Sequence, residues 1–237
     1  MSLLEIEELR TGYGALPVLQ GISFSVEEGT TAVIFGLNGA GKTTTVNCLA
    51  GLLPVWGGQI RFDGQVLSGK NAKSIVEAGL SLSPEGRRVW AGLSVQKNLE
   101  LGAWSKKDRK AEAQSMEQVF GYFPRLEERR TQLAGTLSGG EQQMLAIGRA
   151  IMSRPRLLMI DEASLGLSPK LAQTVFEVVS QINQDGTTVI IVEQNVGVLP
   201  YADQALIMEK GTLTFDGTGS ELERTGELRR TYLGDDS

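Results

Sequence analysis

Eight residues from Gly36 to Thr43, GLNGAGKT, put glycine first and sixth, Lys42 seventh and Thr43 eighth. That spacing wraps backbone N–H groups around a polyphosphate. Lys42 supplies a point charge to the outer phosphates and Thr43 offers a hydroxyl to Mg²⁺, while a helix starting near Lys42 turns its unsatisfied N–H groups toward the anion. Downstream, four apolar residues lead into two adjacent acids in LLMIDE, Leu157 to Glu162. Two carboxylates at the end of a buried strand suit phosphoryl transfer, which demands positioning and charge neutralisation. Asp161 is then the metal-side acid, and Glu162, unencumbered by metal, is the base that reaches an attacking water.

The elements around these residues must hold them at one place. TTAVIF (Thr30 to Phe35) is a short β-branched run that predicts a buried strand, and KTTTVNCLAGLLP (Lys42 to Pro54) predicts a helix stopped by Gly51 and Pro54. Leu3–Leu9 and Ile22–Val26 read as strands of a small antiparallel sheet joined through the turn-rich Thr11–Pro17, and Gly58–Gly64 as a further strand. Ala78–Pro84 reads as a buried strand ended by proline. From Val95 to Ser153 the pattern turns helical and charged, centred on KKDRKAEAQSMEQVF, which predicts an inserted helical lobe. After it come a strand at Leu157–Asp161, a helix at Lys170–Gln184, a strand at Thr187–Glu193 and a hairpin across Gln204–Gly217 turning near Lys210 and Gly211. This is βαβ grammar, so an α/β fold with a largely parallel sheet is expected, with ligands at the carboxyl ends of its strands. The expected division is a core lobe of about 1–85 and 156–237 and a helical lobe of about 86–155.

Composition narrows the class. A chain of 237 residues with 41% hydrophobic content can bury one sizeable core, and a net charge of −5 offers no basic footprint for nucleic acid or anionic lipid. No apolar stretch has the length that spans a bilayer, and the acidic start MSLLEIEELR does not read as a secretion signal. The single cysteine, Cys48, can form no internal disulfide and matches a reducing compartment; the lack of histidine removes histidine metal sites and histidine acid–base chemistry.

LSGGE (Leu137 to Glu141), followed by QQMLAIGRAIMSRP, adds a third segment, with Ser138 as a helix N-cap and Gly139 and Gly140 offering backbone N–H groups. It resembles the signature of ATP-binding cassette ATPases. The resemblance covers nearly the whole chain and is closest to the ATP-binding subunits of branched-chain amino acid importers, including relatives serving urea or amides. It rests on GYG (Gly12 to Gly14), NGAGKTTT (Asn38 to Thr45), SPEGRRVW (Ser83 to Trp90), LSGGEQQMLAIGRA (Leu137 to Ala150), DEASLGLSP (Asp161 to Pro169) and VEQN (Val192 to Asn195).

The resemblance implies a P-loop ATPase that binds ATP with Mg²⁺. Nucleotide contacts are expected from Tyr13, as an adenine platform, and from Gly36, Asn38, Gly39, Ala40, Gly41, Lys42, Thr43 and Thr44; Ser138, Gly139 and Gly140 would contact the γ-phosphate of nucleotide held by a second cassette. Thr43, Glu85 and Asp161 are the expected metal-side residues, and Glu162, Lys42 and Gln194 the catalytic ones. Implied partners are integral membrane permeases, a second cassette forming a homodimer or heterodimer, and indirectly an extracytoplasmic solute-binding protein, with the chain cytoplasmic and peripheral on the inner face of the membrane. Arg87, Arg88 and Trp90 fall where such importers grip a short helix of the membrane subunit, and Trp90 is expected to line that groove. A soluble cassette acting on nucleic acid or ribosomes is the other class; the tandem cassettes, long coiled-coil insertion or cysteine-rich module usual there are not found.

The chain departs from the wider pattern at four places. Glu85 stands where most cassettes have Gln, Gln194 where they have His, Ala163 where they have Pro, and Ser168 where many have Asp. Gln194 cannot titrate near neutrality, so it is expected to sense the γ-phosphate as a hydrogen-bond donor. Gln96 is read as an N-terminal helix residue and not as the metal-loop glutamine.

Overall fold

The computed structural model describes residues 2–104 and 109–225; of the charged helical run, Lys106, Lys107 and Asp108 lie outside these. In chain order the strands are β1 (Ser2–Tyr13), β2 (Leu16–Glu27), β3 (Thr31–Phe35), β4 (Gly57–Phe62), β5 (Gln65–Val66), β6 (Leu80–Ser83), β7 (Leu157–Asp161), β8 (Thr188–Glu193), β9 (Gln204–Glu209) and β10 (Thr212–Gly217). The helices are α1 (Lys42–Leu49), α2 (Ala72–Ala78), α3 (Val95–Gly102), α4 (Arg109–Tyr122), α5 (Pro124–Glu128), α6 (Gly139–Ile151), α7 (Pro169–Gln184) and α8 (Gly219–Thr225).

Two sheets form. One is antiparallel, in the order β2-β1-β4-β5; the other runs β10-β9-β3-β8-β7-β6, parallel from β9 to β6 with β10 antiparallel at its edge. The strands of the first hairpin are longer than their sequence suggests, because the ladder continues through Gly12 and Tyr13, opposite Pro17 and Leu16. Only Gly14 and Ala15 turn the chain, with Gly14 at φ +59°, a conformation glycine reaches without penalty. Gly12 is required for another reason: a Cβ there would run into the Leu16 carbonyl and the Trp56 ring. Helix α1 ends at Leu49, earlier than its apolar pattern indicates, and Gly51 turns away at φ +71°.

Every residue of β3, β7 and β8 is buried, as expected for strands covered on both faces. Alternation divides them between two apolar clusters. Val33, Phe35, Leu158, Ile160, Val189 and Ile191 face the cluster that holds Leu99, Val119, Phe123, Leu126 and Leu145 of the helical stretch. Ala32, Ile34, Leu157, Met159, Ile190 and Val192 face the other, against Leu4, Ile6, Ile22 and Phe24 of the antiparallel sheet and Val46, Cys48 and Leu49 of α1. The helices between β6 and β7 therefore do not carry an isolated core; they share one with the parallel sheet. A further tie runs from the Tyr122 hydroxyl to Asp185 at the end of α7, 2.5 Å.

Candidate active site

The carboxyl ends of β3, β6, β7 and β8 converge. β3 runs into the glycine loop, β6 ends at Ser83 two residues before Glu85, β7 delivers Asp161 and Glu162, and β8 ends at Glu193 beside Gln194. The parallel registers that set Phe35 opposite Glu193, Asp161 opposite Val192 and Ser83 opposite Ile160 bring these four ends close to level.

In the loop, Gly36, Gly39 and Gly41 take φ values of +155°, +83° and +107°, and a Cβ on Gly36 would strike the Met208 carbonyl. α1 begins at Lys42 after Gly41, with no side chain capping it, so its first N–H groups remain available to an anion. Ala40, Lys42 and Thr44 are buried, whereas Asn38 and Gly39 are exposed. The Lys42 ammonium donates to the carbonyls of Gly36 at 2.8 Å and Leu37 at 3.3 Å, lying along the loop it serves. Burial lowers the Lys42 pKa, against the raising influence of Glu162, Asp161, Glu193 and Glu85.

Thr43 Oγ1 donates to Asp161 Oδ1 at 3.2 Å, which joins two of the three expected metal-side residues, Glu85 being the third. Burial pushes Asp161 from 3.8 to about 6; Thr43 and Lys42 counteract this, and the carboxylates of Glu85 and Glu162 add to it. Glu162 follows in the left-handed region at φ +51°, turning the chain sharply as β7 ends. Its Oε1 accepts from Gln194 Nε2 at 2.8 Å, and the same nitrogen donates to Asn38 Oδ1 at 2.7 Å. Both amide hydrogens of Gln194 are thus engaged, one on the base and one on the glycine loop. Before it can donate to a phosphate, Gln194 must give up one of these bonds.

Tyr13, at the tip of β1, is 49% exposed, an unpacked ring of the kind a base can stack on. Ser138 caps α6 reciprocally: its hydroxyl accepts from Glu141 N at 3.3 Å, and Glu141 Oε2 accepts from Ser138 N at 2.9 Å. The two signature glycines, expected as N–H donors, are also closely packed. Gly140 is buried, and a Cβ on it would lie 2.1 Å from the Leu171 side chain of α7; a Cβ on Gly139 would lie 2.7 Å from the Arg87 guanidinium. Close approach, as much as N–H exposure, requires glycine at both positions. Arg87 also reaches the Leu165 carbonyl at 3.4 Å, so it bridges the signature turn and the loop after Glu162.

Residues 19–165, from the middle of β2 to the loop after Glu162, match the family model of the ABC transporter. The chain belongs to the ABC transporter family. The cassette is 42% identical over 233 residues to the high-affinity branched-chain amino acid transport ATP-binding protein BraG of Pseudomonas aeruginosa, covering 98% of this chain and 100% of that protein. It is 30% identical over 234 residues to the probable branched-chain amino acid transport ATP-binding protein LivF of Archaeoglobus fulgidus, covering 98% and 99%. A solved nucleotide-free ATP-binding cassette from an ABC transporter matches its fold with a TM-score of 0.88 at 25% identity, over 99% of this chain and 100% of that one.

The donor set of the cassette fits Mg²⁺. Thr43 Oγ1 and Asp161 Oδ1 are hard oxygen donors on adjoining elements, and no group of three acids, cysteines or histidines that could cage an ion by itself occurs among the described residues. That is the pattern for an ion completed by phosphate oxygens and water. Glu85 is exposed and bears on Lys42 and Asp161 through its charge.

Several contacts at the site were not foreseen in the sequence. Glu193 takes four hydrogen bonds from two loops, Arg149 donates to the Arg88 carbonyl at 2.8 Å, and the Arg149 guanidinium lies 4.7 Å from the centre of the Trp90 ring. An acid closing the apolar run Val189 to Val192 was the available signal for Glu193, since a buried carboxylate must find donors.

Proposed function

We propose that this chain is the ATP-hydrolysing subunit of an importer for branched-chain amino acids or related small polar solutes. The observation that carries the reading is the 42% identity, end to end, with a branched-chain amino acid transport ATP-binding protein, together with the convergence of Lys42, Asp161, Glu162 and Gln194. ATP lies with its triphosphate on the glycine loop and α1 and its base against Tyr13. Lys42 exchanges its loop carbonyls for phosphate oxygens. Thr43 and Asp161 would hold Mg²⁺, which would neutralise phosphate charge. Glu162 accepts a proton from the attacking water, and Gln194 orients the Glu162 carboxylate through their 2.8 Å hydrogen bond.

The signature turn, Ser138 to Gly140, acts on nucleotide held by a second cassette, so a lone chain hydrolyses slowly. No helix among the described residues is long and apolar enough to cross a membrane, and the reading places the chain on the inner membrane face against permease subunits that accept solute from an extracytoplasmic binding protein. The docking groove is a cavity of about 330 Å³ between the two lobes, lined by Leu52, Ile75, Trp90, Leu101, Trp104 and Arg149. Trp90 is 53% exposed there with Arg149 stacked on it, an aromatic–arginine pair suited to gripping a helix.

Reconstitution with its permeases and binding protein tests the reading: ATP should drive uptake of leucine, isoleucine or valine, and Glu162→Gln should bind ATP without releasing phosphate. Failure of the purified chain to bind MgATP would end the ATPase reading. Uptake of none of these solutes by an ATP-hydrolysing complex would end the substrate assignment alone.

A further inference from the structure

We propose that Glu193 is a positioning residue that fixes the loop after Glu162 to the loop carrying Gln194, so that a second cassette seated on the first loop is felt at Gln194. The inference rests on the ATPase reading above. The Glu193 side chain ends β8 and is 2% exposed. Its Oε1 accepts from Ser164 N at 2.8 Å; its Oε2 accepts from Ser164 Oγ at 3.0 Å, Gln194 N at 3.1 Å and Asn195 N at 3.3 Å. All four donors are uncharged, two from each loop, and one carboxylate joins them.

Stability alone gives little reason for such a group. Burial raises the Glu193 pKa, and taking an ionised carboxylate from water carries a desolvation cost that neutral donors only partly return. What the arrangement provides is geometry. Ser164 opens the segment SLGLS, Ser164 to Ser168, and Arg87, packed against Gly139 of the signature turn, donates to the Leu165 carbonyl within it at 3.4 Å, so this loop is tied to the turn that meets the second cassette. On the other side, the Gln194 backbone held by Glu193 places the Gln194 amide between Glu162 and Asn38. Because the carboxylate grips both loops, a shift of Ser164 cannot leave Gln194 where it was. Glu193 touches neither nucleotide nor water in this scheme and acts through Gln194.

The test compares Glu193→Gln, Ser164→Ala, Gln194→Ala and the Glu193→Gln/Gln194→Ala double variant in the full chain. The readouts are MgATP hydrolysis, equilibrium binding of a fluorescent ATP analogue, and thermal unfolding. In Glu193→Gln the amide NH₂ must face backbone N–H donors, so one anchor is lost. We expect kcat to fall about tenfold or more while the analogue binds within about twofold of wild type, because an interaction felt only during chemistry lowers kcat without weakening binding. In long single-turnover incubations the double variant should be within about twofold of Gln194→Ala, since Glu193 then has nothing left to position. Ser164→Ala, which removes one hydroxyl from a half-buried position, should keep its fold and lose about two- to fivefold in kcat.

Unchanged kcat in Glu193→Gln overturns the proposal, as does a double variant whose losses multiply. If Glu193→Gln fails to fold, unchanged kcat in Ser164→Ala overturns it. A wild-type chain that neither binds the analogue nor hydrolyses ATP refutes the ATPase reading itself, a result separate from these.

Discussion

Asp161→Asn should make the nucleotide-free protein more stable while abolishing hydrolysis. The Asp161 carboxylate is 2% exposed and its pKa is raised from 3.8 to about 6, first by burial and then by the facing charges of Glu85 and Glu162, with Thr43 and Lys42 opposing. A pKa unit corresponds to about 1.4 kcal/mol, so holding Asp161 ionised at pH 7 in the empty site costs roughly 3 kcal/mol. The sign follows from proton counting. Between the unfolded and folded pKa values the native state holds more proton than the unfolded chain, so stability present below about pH 4 is lost as pH rises to about 6 and stays lost at 7. Asparagine removes the charge and keeps an oxygen for the Thr43 hydroxyl.

Urea titrations at pH 5 and pH 7, without nucleotide, check the arithmetic. Relative to wild type, Asp161→Asn should gain about 1 to 3 kcal/mol at pH 7 and visibly less at pH 5, with a melting temperature several degrees higher at neutrality. MgATP should then stabilise wild type much more than the variant, since the cation balances the charge that made the empty pocket costly. An Asp161→Asn protein no more stable than wild type at pH 7, or one with the same pH slope, would refute the reasoning.

Three other outcomes are expected. Gln194→Ala should lower MgATP hydrolysis at least tenfold, measured as phosphate release, because the hydrogen bond orienting Glu162 is lost; unchanged turnover would remove Gln194 from the machinery. Gly140→Ala should cost about 1 to 3 kcal/mol in urea unfolding, as its methyl has to displace Leu171, and an undisturbed midpoint would show that α7 yields there. Trp90→Ala should leave hydrolysis by the isolated chain within about twofold and reduce transport by the reconstituted complex severalfold; transport at the wild-type rate would argue against the groove.

The parts read most faithfully from sequence were those fixed by local chemistry. β7 begins and ends where its apolar run does, β8 differs by one residue, and the hairpin turns at Lys210 and Gly211. The strand-loop-helix around Lys42 also stood out, since glycine spacing and a β-branched run each allow few alternatives. What depended on distant neighbours was hidden. Helix α2 has seven residues and a single buried one, Ile75, too few for a period to show, although Asn71 capping its start and Gly79 ending it were there to be read. The packing of Gly140 against Leu171 was hidden because nothing nearby in sequence announces that contact, and Gln194 read as free to donate because Asn38 is 156 residues away. The grip of Glu193 on Ser164 needs two strand ends brought level, which only the sheet supplies.

Cys48 has a practical consequence. Its thiol is packed inside α1 at 2% exposure, with burial raising its pKa to about 11. At neutral pH it is almost wholly protonated and shielded from alkylating reagents, and the sequence contains no other sulfhydryl. A cysteine introduced at an exposed position would therefore accept a spin label or fluorophore with little background, and two such probes could report distances within an otherwise native chain.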